Sequence, residues 1–230
     1  MIVSVHIADL GRRGTLGTLR RTPDAAGTPG LRYAETAIAA PLRGDSSVAP
    51  RGSRAALIAA WDGEDALADF EAEHPVGAGF AGGWQVRMEP LRVVGAWPEM
   101  AGLPERELPV SDEEPVVVLT LGHLRLRRAL PFVRASGRAE RALREEAGLL
   151  AATGLAHPPH LVSTFSVWRS AREMREYAYR EQGSHRAAVG ADRARPFHHR
   201  SAFIRFRPRL SRGSWEGRDP LRGLLRPAPV

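Results

Sequence analysis

Two stretches of this chain, more than a hundred residues apart, carry the same residue pattern, and this constrains the fold more than any other feature. Trp61 ends an apolar run, with Leu67 and Phe70 six and nine positions later; Trp168 ends another, with Met174 and Tyr177 at the same intervals. Farther on, Arg87, Met88, Pro90, Gly95 and Trp97 recur as Arg205, Phe206, Pro208, Gly213 and Trp215, all five pairs at a spacing of 118. The tryptophans Trp61 and Trp168 are 107 apart, so the second copy holds 11 extra residues after its strand. The apolar segments 3–10 and 116–124 are also alike. A pattern repeated at this interval predicts one supersecondary unit used twice.

Alternation and β-branched content predict strands over 3–10, 31–40, 55–61, 84–94, 116–124, 160–168 and 201–209. Helices are expected over 63–73 behind a cap at Asp62, over 127–152, and from Ser170 through Tyr179. Residues 11–30 are rich in Gly, Arg, Thr and Pro and read as a loop. Pro104, Pro109, Pro115 and five acidic residues mark 101–115 as a linker. Each copy is therefore strand, helix, strand, helix, strand, which is the ferredoxin-like plan. The expected fold class is α+β, with tandem ferredoxin-like repeats forming a pseudo-dimer of the dimeric α+β-barrel type. Its first repeat covers 1–100, with the first helix replaced by loop; the second covers 116–221, and 222–230 is an irregular tail. Two such sheets pack face to face or close into a barrel, with a cavity between them and loops at its mouth.

Composition removes several function classes. With 43% hydrophobic residues the chain can form a core, yet no stretch approaches the ~20 consecutive apolar residues of a spanning helix. Met1 leads into strand-like alternation without a basic n-region, so no secretory signal is expected and the expected compartment is the cytoplasm. Cysteine is absent, which excludes disulfides, cysteine-ligated iron–sulfur clusters and a thiolate-ligated haem. A haem here would take another side chain, His foremost. The net charge is +7, every basic residue is Arg, and residues 186–226 hold eleven Arg against Asp192, Glu216 and Asp219. That local excess is either a solvated surface or an attraction for anionic lipid, an anionic cofactor or nucleic acid. No nucleic-acid reading motif accompanies it, so no nucleic-acid partner is expected.

Most candidate motifs fail on context. Gly77, Gly79 and Gly82 have the spacing of a dinucleotide fingerprint but follow a helix and precede a strand, so they read as a turn. The nucleophile elbow, the phosphate-binding loop and the zincin helix are all missing. His157 and His160 have a metal-like spacing, but two prolines separate them and no carboxylate is near in sequence. His198 and His199 are adjacent and point apart in an extended chain. His6 and His123 read as satisfied core histidines of the two first strands, and His185 as a surface histidine at a helix end. Trp61, Trp97, Trp168 and Trp215 read as structural residues at strand ends rather than as ligand-stacking platforms.

Three segments carry a family resemblance. The first is Ala56-Leu-Ile-Ala-Ala-Trp-Asp62, followed by a helix and His74-Pro-Val76. The second is Val162-Ser-Thr-Phe-Ser-Val-Trp-Arg-Ser170, followed by Tyr177-Ala-Tyr-Arg180 and His185-Arg186. The third is Arg205-Phe-Arg-Pro208, followed by Gly213-Ser-Trp-Glu-Gly-Arg-Asp-Pro-Leu221. These resemble the spheroidene monooxygenase family of carotenoid biosynthesis, from near residue 1 to about residue 221. The resemblance implies a monooxygenase that inserts oxygen from O₂ into a carotenoid-like or other hydrophobic substrate. It also implies a haem cofactor and an electron donor such as ferredoxin, and with such a substrate the basic C-terminal region is expected to dock peripherally on the anionic inner face of a membrane. His185 matches the family's histidine before the last helix and is the implied haem-iron ligand. Arg180 and Arg186 are the implied partners of its propionates. One departure stands out. The family commonly has a Trp and paired Glu residues before the last strand, where this chain has Phe197-His-His-Arg-Ser201. That departure leaves open an alternative, a non-catalytic barrel protein that binds haem or a small apolar ligand. The first strands aside, the second copy keeps more of the family pattern and is expected to hold any chemistry.

Overall fold

A computed structural model describes residues 1–42, 53–128, 140–179 and 197–225. Eight strands make one closed barrel: β1 (Ile2–Asp9), β2 (Leu31–Pro41), β3 (Arg54–Trp61), β4 (Trp84–Gly95), β5 (Val116–Leu124), β6 (Leu149–His157), β7 (Leu161–Trp168) and β8 (His198–Arg212). Around the barrel the order is β1-β3-β2-β6-β7-β5-β8-β4, with all neighbours antiparallel. Each half thus has the ferredoxin-like order, β4-β1-β3-β2 and β8-β5-β7-β6. The halves join edge to edge, β2 to β6 and β4 to β8. The two sheets therefore share one continuous hydrogen-bonded wall instead of packing face to face.

The halves match in register as well as in order. Both break their ladders with a β-bulge, at Leu31/Tyr33 and at Leu149/Ala151, positions that are 118 apart. At the two junctions the directly opposed pairs Ile38/Ala156 and Glu89/Arg207 are also 118 apart, as a two-fold relation between halves requires. Trp61 and Trp168 both end outward-facing strands. Each packs its indole under a helix, on Phe70 at 4.8 Å and on Tyr177 at 5.3 Å between ring centroids. The two glycines of the pattern also share a cause. Gly95 and Gly213 have φ of +89° and +84°, and a Cβ would lie 2.3 Å from the Ser201 carbonyl oxygen and 1.9 Å from that of Gly83. Each lets the end of one strand turn tightly across the start of the strand beside it.

Strand alternation sorts the side chains. Val3, Val5, Ile7, Ile58, Leu119, Leu121, Phe165, Ile204 and Phe206 fill the barrel interior. The opposite faces meet helices, so the strands are apolar on both sides and read as near-continuous apolar runs. Helix α1 (Gly11–Leu19) packs on β2 and β3, while α2 (Glu64–Glu73) and the short α3 (Pro75–Phe80) cover the first half. In the second half α4 (Ala171–Tyr179) buries Ala171 and Met174. Among the described residues no helix is long and apolar enough to cross a membrane.

Three expectations need correction. Residues 11–30 are not all loop, because α1 occupies Gly11–Leu19. The first half keeps its first helix, since tertiary packing overrides the poor helix propensity of Gly and Thr. The expected helix over 127–152 ends early: residues 140–144 are helical, but Leu149–His157 is strand β6. Its Leu and Ala residues are good helix formers, and pairing to β2 and β7 decides the outcome. Gly77 and Gly79 lie within α3 rather than in a turn. The segment 101–115, expected as a linker, holds no helix or strand and is tied to the barrel. Leu108 N–H donates to the Leu91 carbonyl, the Pro109 carbonyl accepts from Arg207, and the acids of the segment pair with arginines of β4, β8 and α4.

Candidate functional site

The outer faces of the two halves correspond position by position, and their side chains do not. On the first face His6 of β1 stands opposite Gln85 of β4, which stands opposite Arg212 of β8. Glu71 reaches in from α2. These groups form one closed network. Glu71 accepts from Arg87 at 2.7 Å and from Arg212; Arg87 also donates to Glu64 at 2.5 Å. The Gln85 amide, oriented to suit its neighbours, donates to Glu71 and to His6 Nδ1 at 3.3 Å and accepts from Arg212 Nε at 2.6 Å. His6 Nε2 then donates to Ser4 Oγ at 3.1 Å, which also accepts from Trp61 Nε1 at 2.9 Å. A cleft of about 470 Å³ lies over this network, lined by His6, Glu71, Phe80, Gln85, Arg87 and Arg212 among others. Burial, reinforced by Arg87 and Arg212, pushes His6 down to about 3, so its imidazole is neutral at ordinary pH.

The corresponding positions on the second face are Thr120 for His6, Phe203 for Gln85, Val94 for Arg212 and Ala178 for Glu71; only Arg87 keeps its type, as Arg205. The polar network is gone and an apolar floor replaces it. That floor is also less covered. His6 and Leu57 are fully buried, whereas Thr120 is exposed, Thr164 and Phe203 are half-buried, and Val94 is 52% exposed. At the rim, Arg205 is buried, 2% exposed, and shares Glu107 with Arg92, its neighbour across the β4–β8 junction. Arg205 Nε is buried without a partner among the described residues. Burial, then the Arg92 charge, lowers the Arg205 pKa from its usual value.

A second polar group set lies inside one mouth of the barrel. Tyr33 and Glu35 face inward from β2, His157 from β6, His123 from β5 and Arg200 from β8. Glu35 Oε1 and His157 Nδ1 are 2.6 Å apart across the β2–β6 junction. Burial raises the Glu35 pKa against the pull of His157, and burial followed by Glu35 raises that of Tyr33. Arg200 lies 4.6 Å over the Trp97 ring, pairs with Glu99, and sits 3.4 Å from His123 Nε2. Burial and Arg200 together lower the His123 pKa, which favours its neutral form. Tyr33 Oη and Trp97 Nε1 are buried without a well-formed hydrogen bond among the described residues.

The sequence-derived site residues fare unevenly. His185, Arg180 and Arg186 lie outside the described residues. The chain leaves the described part at Tyr179, whose hydroxyl is 3.4 Å from Arg92 at the rim of the second face, and resumes at Phe197 beside β8. His157 does have a carboxylate, Glu35, but it lies 122 positions away in sequence. His6 and His123 are not counterparts: His6 faces outward under α3 and His123 inward at the mouth. Arg200, within the segment 197–201, finds its counter-charge in Glu99. Among the described arginines of the C-terminal third, Arg200, Arg205, Arg207, Arg209 and Arg212 each pair with a carboxylate from earlier in the chain. Among the described residues no cluster of three or more His, Asp or Glu has metal-binding geometry.

Comparison with known proteins adds three findings. The chain is 32% identical over 173 residues to a spheroidene monooxygenase of Rhodobacter capsulatus, covering 72% of this chain and 71% of that protein. It is 26% identical over 178 residues to a spheroidene monooxygenase of Cereibacter sphaeroides, covering 75% of this chain and 55% of that protein. Among solved structures, an aldoxime dehydratase in complex with butyraldoxime superposes with a TM-score of 0.55 at 8% identity, over 90% of this chain and 79% of that chain; the likeness is one of fold. No protein-family profile matches the chain.

Proposed function

We propose, since the chain belongs to the spheroidene monooxygenase family, that it inserts one oxygen atom from O₂ into a carotenoid-like hydrophobic substrate, with haem held against the outer face of its second half. The observation that supports this reading is the difference between two otherwise matching faces. The first is occupied by the polar His6–Gln85–Glu71–Arg212 network, while the second offers Val94, Thr120, Phe203 and Ala178.

The residues present fit such a group. With no cysteine in the chain a thiolate ligand is excluded, and His185 is the residue proposed for the iron. Phe203, Val94 and the β-face around Thr120 supply an apolar bed, and the buried, unpartnered Arg205 Nε supplies a polar anchor beside it. When bound, the haem would supply activation of dioxygen, with electrons drawn from a donor such as ferredoxin. The chain's own part is to exclude water over the apolar floor, to orient the substrate, and to keep positive charge at the rim. Carotenoid-like substrates dissolve in membranes, so the reading includes peripheral contact with an anionic bilayer face.

The test is an absorption spectrum of protein purified from haem-supplemented cells. A Soret band that is lost in His185→Ala supports the reading. No band, and no binding on direct haem titration, removes it. A non-catalytic carrier would instead bind haem or polyene and leave the polyene unchanged under O₂ and a reductase system.

A further inference from the structure

Among the described residues, the rim of the second face is short of one negative charge. On the first face two arginines, Arg87 and Arg212, meet two carboxylates, Glu64 and Glu71. On the second, Arg92 and Arg205 stand opposite each other across the β4–β8 junction and share Glu107 alone among the described residues. Arg92 holds one Glu107 oxygen at 3.0 Å and Arg205 the other, so both oxygens of that carboxylate are engaged. Arg205 is 2% exposed, and its Nε–H has no partner among the described residues. A buried guanidinium with an idle donor, beside a second guanidinium, costs free energy that one more carboxylate would recover.

Along the same outer face, two residues up each strand, lie Val94 and Phe203. Two residues of strand span about 7 Å. A ligand that satisfies both features therefore has an apolar body and a carboxylate at its edge about that far away. Tyr179 adds a hydroxyl 3.4 Å from Arg92 on the same rim.

We infer that Arg92 and Arg205 form a carboxylate clamp at the edge of the apolar floor, taking a propionate of the haem proposed above. The inference rests on the haem reading but assigns the anchoring charge to described residues of β4 and β8. Glu107 competes with the ligand for the clamp. It is half-exposed, on the segment between the halves.

The probes are iron protoporphyrin IX and its dimethyl ester, which lacks free carboxylates, titrated into the apo full-length chain and followed by Soret absorbance. The wild type is expected to bind the free acid about tenfold more tightly than the ester, the size of one charge-assisted hydrogen bond. Arg205→Met and Arg92→Met remove that preference. Glu107→Gln, which takes away the competitor, enlarges it by a few-fold. Arg205 is buried, so thermal melts accompany its variant; Arg92, 36% exposed, gives the same readout with little risk to folding. Equal binding of acid and ester by the wild type overturns the clamp and leaves the haem reading standing. A preference that survives in Arg92→Met, or one that shrinks in Glu107→Gln, also overturns the clamp. If neither porphyrin binds, the haem reading falls and the clamp with it.

Discussion

His6 gives the first face a measurable dependence on acid. In the unfolded chain its imidazole protonates near 6.5, whereas in the folded chain burial, then Arg87 and Arg212, holds it down to about 3. A depressed value stabilises the fold above 6.5, and that stability is lost as pH falls toward the folded value. Between the two, the unfolded state binds one more proton than the native state, so stability falls by about 1.4 kcal/mol per pH unit. The loss is roughly 3 kcal/mol by about pH 4.5 and approaches 5 kcal/mol near about pH 3. His6→Asn has no proton to gain. It gives up the contact with Phe80, 5.9 Å between ring centroids, and is expected to be about 1–2 kcal/mol less stable than wild type at neutral pH. The two stability curves should therefore cross near about pH 5.5, below which the variant is the more stable. Urea unfolding followed by far-UV circular dichroism, at half-unit steps from neutral pH to about pH 4, gives both curves, and the difference cancels the other titrating groups. Parallel curves would refute the reasoning, because they would mean that His6 accepts its proton without opening the network.

Other outcomes follow from the same geometry. Gly217 has φ of +86° with open space at its Cβ, whereas Gly213 has φ of +84° and a carbonyl oxygen at 1.9 Å. Gly217→Ala should cost about 1 kcal/mol and Gly213→Ala about 3 kcal/mol by urea denaturation; equal costs would show that the close approach contributes nothing. Burial raises the Glu35 pKa, so its contribution is present below the ordinary carboxylate range and is lost as pH rises through its folded value. Glu35→Gln should remove that loss, seen as a melting temperature that declines less than wild type's as pH rises above the ordinary carboxylate range; an unchanged difference counts against it. Installing the first face's residues on the second, Val94→Arg with Phe203→Gln, should weaken haem uptake at least about tenfold with an unchanged far-UV spectrum. Undiminished uptake would place the site elsewhere.

The barrel was largely legible in the sequence because its determinants are local and periodic. The Trp61–Phe70 and Trp168–Tyr177 intervals are helix-under-strand contacts, and Gly95 and Gly213 are positions where the backbone tolerates no side chain. What escaped was decided by partners far along the chain. Leu149–His157 has helix-forming residues and becomes a strand between β2 and β7. Residues 11–19 lack a strong helical stripe and become helical where they lie on β2 and β3. The mouth group was invisible for the same reason, since Glu35 meets His157 and Glu99 meets Arg200 across 122 and 101 positions. A signal for the second face did exist. Aligning the copies at a spacing of 118 sets Gln85 against Phe203 and Arg212 against Val94, which marks the place where the halves differ in polarity.

Closing the wall within a single chain also changes what substitution can do. In a barrel built from two identical subunits, a change at the position of Gln85 or Arg212 appears on both outer faces at once, so a face cannot gain an apolar floor without its twin gaining one too. Here the two junctions, β2 to β6 and β4 to β8, lie between unlike sequences joined covalently. One face can hold an ionic lattice while the other carries apolar side chains at the matching positions. Stability can thereby be tuned by substitution on the first half while the second face is left unchanged.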